Sequence, residues 1–253
     1  MEDDDRQVGH LISRREALVW MGATAAALAG ASGITQRGSV KAAQAATDAI
    51  SGGSTPLATT VPSCIVRPQK TQGPFYVDEE LNRSDIRSDP ATGIVKTGVL
   101  LSLNFNVSKI ATTGCTAYEG IVVDVWHCDG LGLYSDETSA NTKGQKFLRG
   151  YQVTDANGRA SFTTIYPGWY SGRSIHIHFK IRNQASTSVF TSQLFFDDKL
   201  TNLVYLNQPY STRGTRDTLN SQDAYYSNRL LLLVTKAATQ GLTTTFNIGV
   251  QEL

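Results

Sequence analysis

The 253-residue chain is 40% hydrophobic, 9% aromatic and 18% charged, which is enough apolar material for a packed domain and too much for a disordered chain. Lys+Arg total 23 against 22 Asp+Glu, and the formal net charge of +1 offers no electrostatic basis for a nucleic-acid or anionic-membrane partner. Glycine follows no strict period and the three cysteines form no Cys-x-x-Cys pair, so collagen-like and disulfide-scaffold architectures are excluded.

Residues 1–45 read as an export signal. Arg14-Arg15 directly precedes an uncharged run over 18–34 that is rich in Ala and Gly. Gly, Ser and Thr dilute this run below the roughly 20 strongly apolar residues of a spanning helix. The pattern predicts a twin-arginine signal and no stable membrane anchor after its removal, despite the acidic opening Glu2-Asp3-Asp4-Asp5. Ala43-Gln44-Ala45 supplies a small-x-small cleavage site. Such a signal carries an already folded chain to a periplasmic, extracellular or cell-surface location. An oxidising destination permits one disulfide among Cys64, Cys115 and Cys128, and the pairing stays open.

Residues 46–68, Ser-, Thr- and Gly-rich at first, read as a flexible lead-in to a domain over 69–253. From Gly98 the hydrophobic period becomes two. Leu101, Leu103, Phe105 and Val107 alternate with Ser102, Asn104, Asn106 and Ser108, which predicts a half-buried strand. Ile121, Val123 and Val125 form a second stripe. After the Asn157-Gly158 turn signal a strand is expected over 160–165, stopped by Pro167-Gly168. Further strands are expected over 175–181, 188–196, 230–235 and 243–250, with a short helix over 221–229. About seven short strands with long loops and little helix predict an all-β fold, a β-sandwich of the prealbumin or immunoglobulin-like kind.

His127, in a Val-Trp-His-Cys run, reads as a structural residue. His176 and His178 occupy alternate positions of one strand, so both imidazoles emerge on the same face while Ile175, Ile177, Phe179 and Ile181 point the other way. Two neighbouring imidazoles on one face are a natural pair of metal ligands, usable by zinc, copper or iron. Aromatic residues crowd the Pro/Gly turn just before this strand, in Tyr166-Pro167-Gly168-Trp169-Tyr170, and Tyr134 follows Gly130 and Gly132. Two other readings account for parts of the pattern. A zinc hydrolase would use the histidines with a carboxylate and metal-bound water but leave both tyrosines unemployed. An extracellular β-sandwich binding module would need no turnover at all.

Together these segments resemble the intradiol ring-cleavage dioxygenases, the family of catechol and protocatechuate dioxygenases, and in particular its secreted single-domain branch. The resemblance rests on Gln72-Gly73-Pro74-Phe75-Tyr76, Asp124-Val125-Trp126-His127, Gly132-Leu133-Tyr134-Ser135, Arg149-Gly150-Tyr151-Gln152 and Tyr166 to Tyr170 with Gly172-Arg173 and His176-Ile177-His178. It implies one non-haem Fe(III) per chain, held by Tyr134, Tyr170, His176 and His178. It implies that both atoms of O2 enter a catechol-type ring, which opens between its hydroxylated carbons to a cis,cis-muconate-type dicarboxylic acid. By the same resemblance Tyr170 gives way to the substrate while Tyr134 stays. Arg173 stabilises negative charge on the bound ring, Gln193 positions oxygen, and Thr71 and Pro74 line the substrate pocket. Two tyrosinates and a hydroxide would neutralise the ferric charge and make its burial tolerable. Five residues separate Tyr170 from His176, a tighter loop than in the cytoplasmic relatives, which implies a lower pocket wall. The helical dimerisation domain of catechol dioxygenases has no counterpart, so the resemblance carries no oligomeric state.

Overall fold

The structure, a computed structural model, describes residues 64–187 and 189–253. The expected signal, the lead-in up to residue 63 and Ser188 lie outside the described residues. Among the described residues nine strands follow in chain order: β1 (Leu100–Ala111), β2 (Gly114–Ala117), β3 (Val122–Trp126), β4 (Arg149–Val153), β5 (Arg159–Ile165), β6 (His176–Arg182), β7 (Val189–Phe195), β8 (Val234–Lys236) and β9 (Leu242–Val250). One short helix, α1 (Asp198–Val204), lies between β7 and β8. Among the described residues no helix is long and apolar enough to cross a membrane.

The strands form two sheets. In the first, β1 pairs antiparallel with β5 and β2 along one edge and parallel with β9 along the other, and β8 extends the sheet beyond β9. The second runs β4-β3-β6-β7, antiparallel throughout. Leu101, Leu103, Phe105 and Val107 of β1 are buried, as the alternation predicts. The sheets meet through aromatic rings: Phe179 of β6 lies 5.4 Å from Phe105 of β1 and 5.6 Å from Phe246 of β9, centroid to centroid. Full burial of a Phe side chain contributes roughly 1.5–3 kcal/mol, so this inter-sheet cluster anchors the sandwich.

The second sheet departs from simple alternation because both its faces are covered. Every residue of β3 and all but the last of β6 are buried. One face packs on the first sheet. Over the other lies the segment around residues 73–76, where the Tyr76 ring sits 4.8 Å from Trp126 and Lys180 Nζ lies 3.2 Å from the Tyr76 ring centroid. A polar strand face thus becomes the floor of an enclosed region, which is what the histidine pair requires.

Several expectations need correction. The stretch 221–229 forms no α-helix. It carries 3-10 turns at Asn220–Gln222 and Asn228–Leu230 instead. The Asp223 carboxylate accepts from the backbone N–H groups of Ser174 and Tyr225, a local bonding pattern that competes with helix. Helix α1 is too short to show an apolar period in the sequence; its N-cap Asp197 accepts from Lys199 N and Leu200 N at 2.8 and 2.9 Å. Strands β2 and β4 likewise leave no sign in the sequence, being short and without a regular apolar stripe. The strand expected over 230–235 is reduced to β8, because Leu230 ends a 3-10 turn. At the end of the expected lead-in, Ile65 O accepts from Gly249 N at 2.7 Å and Cys64 bonds to Cys115 of β2. Cys128 is the buried free thiol.

Candidate metal centre

Four elements converge on the buried end of β6. Strand β6 presents His176 and His178 from one face. Register then dictates their neighbours: His178 lies opposite Trp126 of β3 and Gln193 of β7, so all three side chains share that face. The Trp126 indole stacks on the His178 imidazole at 5.1 Å with planes 9° apart. The turn preceding β6 supplies Tyr170 and Arg173, and the loop from β3 to β4 supplies Tyr134.

That loop is shaped by Asp129, whose Oδ1 accepts from the backbone N–H of Leu131 and Leu133 at 2.9 and 3.0 Å. Gly132 sits at φ +80°, and a Cβ there would lie 2.0 Å from the Trp169 carbonyl oxygen, so the two tyrosine-bearing loops touch at a point only glycine allows. Buried Arg149 fixes the same loop from beneath. It donates to Ser135 Oγ (2.8 Å), Ser135 O (2.7 Å) and Phe75 O (2.7 Å). Phe75 in turn stacks on Tyr134 at 4.4 Å. Gly73, two residues before Phe75 and at φ +68°, approaches so closely that a Cβ would lie 3.2 Å from His178 Cε1.

The donor atoms converge. Tyr170 Oη lies 3.0 Å from His176 Nε2, which lies 3.1 Å from His178 Nε2. The Tyr134 ring is 5.7 Å from that of Tyr170 and 6.4 Å from that of His178. Tyr134, His176 and His178 are buried and Tyr170 is half-buried. His176 Nδ1 is 2.7 Å from Ser174 O and donates to it, which leaves the Nε2 lone pair facing the cluster. Tyr134 Oη and His178 Nδ1 are buried with no hydrogen-bond partner among the described residues.

These residues fit a metal ion. Two imidazole nitrogens 3.1 Å apart, each about 2.1 Å from a shared centre, subtend an angle of about 95°, an ordinary ligand–metal–ligand angle. Electrostatics point the same way. Burial, with Arg173 next in effect, holds His176 neutral by pushing its pKa down to about 3, and burial also drives that of His178 far below the usual range. Both nitrogens are therefore free to coordinate. Burial raises Tyr170 to about 12 and Tyr134 well above the usual phenol value, so neither ionises here without a cation to offset the lost hydration. Among the described residues no group of three or more His, Cys, Asp or Glu side chains could hold a metal. The side chains that stand beside the two imidazoles are phenols, and the carboxylate needed by the zinc hydrolase reading does not join them among the described residues.

Arg173 lies beside the donors, its Nη1 3.4 Å from His176 Nε2. Its Nη2 donates to Gln193 Oε1 and its Nε to Asp223 Oδ2 at 2.9 Å. Gln193 is fully buried, and its Nε2 donates to Thr71 O at 2.9 Å. Thr71 itself is exposed, and its Oγ1 accepts from Gly73 N. Pro74 is exposed between Gly73 and Phe75. The eight residues expected at the site thus fall in one region. His127 lies apart from the donor cluster, with Nδ1 2.8 Å from Cys128 O and Nε2 2.7 Å from Thr164 Oγ1. Sequence reasoning passed over Asp223, Tyr225 and the tie made by Arg149. Arg149 belonged to a quoted motif, but Asp223 and Tyr225 carry no local signal, because the Arg173 and Ser174 they reach at the site lie about 50 residues away in the chain.

A family model described as Dioxygenase matches residues 71–248. The protocatechuate 3,4-dioxygenase beta chain of Burkholderia cepacia is 29% identical over 134 residues, covering 49% of this chain; the match spans about half, 56%, of that relative's length. Among solved structures, an intradiol ring-cleavage dioxygenase from Tetranychus urticae is 27% identical with a TM-score of 0.65, covering 75% of this chain and 96% of the other. The dioxygenase domain of a dioxygenase carbohydrate-binding protein fusion from Streptomyces sp. SirexAA-E is 26% identical with a TM-score of 0.56, covering 75% and 100%.

Proposed function

Because the chain belongs to the intradiol ring-cleavage dioxygenases, we propose that it inserts both atoms of O2 into a catechol-type aromatic. The ring is cleaved between its two hydroxylated carbons to give a cis,cis-muconate-type dicarboxylic acid. One non-haem Fe(III) would be held by Tyr134, Tyr170, His176 and His178. The observation that carries this reading is that His176 Nε2 lies 3.0 Å from Tyr170 Oη and 3.1 Å from His178 Nε2, beside a buried Tyr134 hydroxyl with no partner at full hydrogen-bond geometry among the described residues. When bound, the ferric ion supplies Lewis acidity that keeps phenols and catechol ionised and activates the aromatic ring towards O2.

The side chains divide the remaining work. Tyr134 is fully buried and stacked under Phe75, whereas Tyr170 is half-buried at the start of a turn. That asymmetry supports Tyr134 as the constant ligand and Tyr170 as the one that moves aside, its Oη taking a substrate proton. Arg173 directs Nη1 towards the donor cluster and so places positive charge where a catecholate would gather negative charge. Gln193, held at both ends by Arg173 and Thr71 O, offers a buried amide of fixed orientation for positioning oxygen. Exposed Thr71 and Pro74 would border the substrate at the entrance.

Export by the twin-arginine route, and hence a substrate met outside the cytoplasm, forms part of this proposal. The Cys64–Cys115 disulfide supports it, since such bonds persist in oxidising compartments. The experiment is oxygen uptake by iron-loaded protein with catechol, protocatechuate and hydroxyquinol, with product identification and metal analysis. A ring-opened dicarboxylic acid, one iron per chain and a red-brown tyrosinate colour are expected. Colourless, iron-free protein that iron salts do not activate refutes the reading.

A further inference from the structure

The turn between Tyr170 and His176 is held from outside by a single distant segment. Asp217 accepts from Ser171 Oγ at 2.6 Å and Gly172 N at 3.2 Å. Asp223 accepts from Ser174 N at 2.8 Å, from Ser174 Oγ at 3.2 Å and from Arg173 Nε at 2.9 Å, all through Oδ2. Its Oδ1 accepts from Tyr225 N at 2.8 Å. The Asp223 side chain is wholly inaccessible to solvent, and that of Arg173 is 14% exposed. The Tyr225 ring lies against the guanidinium, 4.6 Å from its central carbon.

The Arg173 guanidinium is thereby fixed in all three directions. Nε is pinned by Asp223, Nη2 by Gln193 and one planar face by Tyr225. Nη1 is left aimed at His176 Nε2 and the donor cluster. A buried ion pair adds little net stability over an apolar pair of the same shape, because desolvation offsets attraction. What it does add is a single orientation for a side chain that otherwise has many rotamers.

We propose that Asp223 is a positioning residue for ring cleavage, holding the Arg173 guanidinium so that Nη1 faces the substrate's developing charge. This rests on the functional reading above and deepens it. Asp223 does not touch the reacting atoms. It acts through Arg173, and through Ser174 it also fixes the turn from which β6 departs.

The test uses iron-loaded full-length protein and whichever of the three catechols the parent turns over. In Asp223→Asn, kcat per bound iron should fall by about 10–100-fold, the loss expected when a charged group is displaced by about 1 Å. KM should change by less than about threefold, and iron content and visible absorption should match the parent, because the four donors are untouched. In an Arg173→Ala background the same Asp223→Asn change should cost less than about threefold more, since its target is already gone. Asp223→Glu keeps the buried charge, and with it folding, while moving the carboxylate by one methylene; it too should lower kcat with iron retained. Parent-like kcat per iron in either soluble variant, or losses that multiply in the double variant, would overturn the inference while leaving the functional reading standing. Absence of ring cleavage in the iron-loaded parent would remove both.

Discussion

The Tyr134 hydroxyl gives a prediction whose sign reverses with the metal. In metal-free protein it is enclosed with no partner at full hydrogen-bond geometry among the described residues; burial, the charge of the nearby Tyr170 phenol and a side-chain contact with that phenol all raise its pKa. A buried polar group left unpaired costs about 1–3 kcal/mol. Tyr134→Phe deletes that penalty and keeps the ring stacked 4.4 Å from Phe75. The missing oxygen leaves a small void, which offsets part of the gain. Metal-free Tyr134→Phe should therefore be more stable than metal-free parent by about 1 kcal/mol, a rise in Tm of about 2–4 °C for a domain of this size. With iron the order inverts. Ligand binding stabilises the folded state in proportion to RT ln(1 + [L]/Kd), and the variant has lost one of four donors. The assay is thermal unfolding of both proteins by circular dichroism, with chelator and with iron, alongside the visible spectrum. If the metal-free variant melts below the metal-free parent, and the iron-loaded variant keeps the parent's colour and melting gain, Tyr134 is not a ligand and the reasoning from its orphaned hydroxyl is wrong.

Three further outcomes follow from contacts away from the donors. Arg149→Met removes three hydrogen bonds to Ser135 and Phe75 and leaves two carbonyls short of a donor; a loss of about 2–4 kcal/mol is expected in urea unfolding, with reduced iron retention, and unchanged stability would contradict the tie. Asp89 accepts from Ala91 N, Thr92 N, Thr92 Oγ1 and Lys146 N. Burial opposes its charge, but these bonds outweigh burial and hold its carboxyl below the usual value. A depressed folded pKa gives stability that is present above the unfolded pKa and lost as pH falls through the folded one. Asp89→Asn should thus melt below the parent at pH 7, and the gap should close as pH drops below about 4; a gap independent of pH would refute the assignment. Cys64→Ser opens a disulfide linking residues 51 apart in sequence, and the chain-entropy argument puts its contribution at about 4 kcal/mol. The parent in reductant should shift in urea by the same amount as the variant, and no shift in either would contradict the bond.

The histidine pair and the strand that bears it were legible because side-chain alternation is a property of the extended backbone itself. Residues 175–181 announce both the strand and the common face of His176 and His178. The first-sheet stripe of Leu101, Leu103, Phe105 and Val107 was readable for the same reason. Helix was misplaced where polar side chains decided the backbone: Asp223 bonds across the chain to Ser174 and breaks an otherwise helix-compatible stretch, while the Asp197 cap starts a helix too short to show a period.

What the sequence by itself determined is therefore local: the all-β character, the paired imidazoles, the two tyrosines flanked by glycine and proline, and the dioxygenase family those segments resemble. Only the tertiary structure decided that Cys64 bonds Cys115 and leaves Cys128 free, that Arg149 ties the Tyr134 loop to Phe75, and that Asp223 grips Arg173 from 50 residues away. Strand periodicity is written into consecutive residues by backbone geometry. A contact between distant residues exists only once two sheets and their loops have packed, and no short-range pattern encodes which partners that packing will bring together.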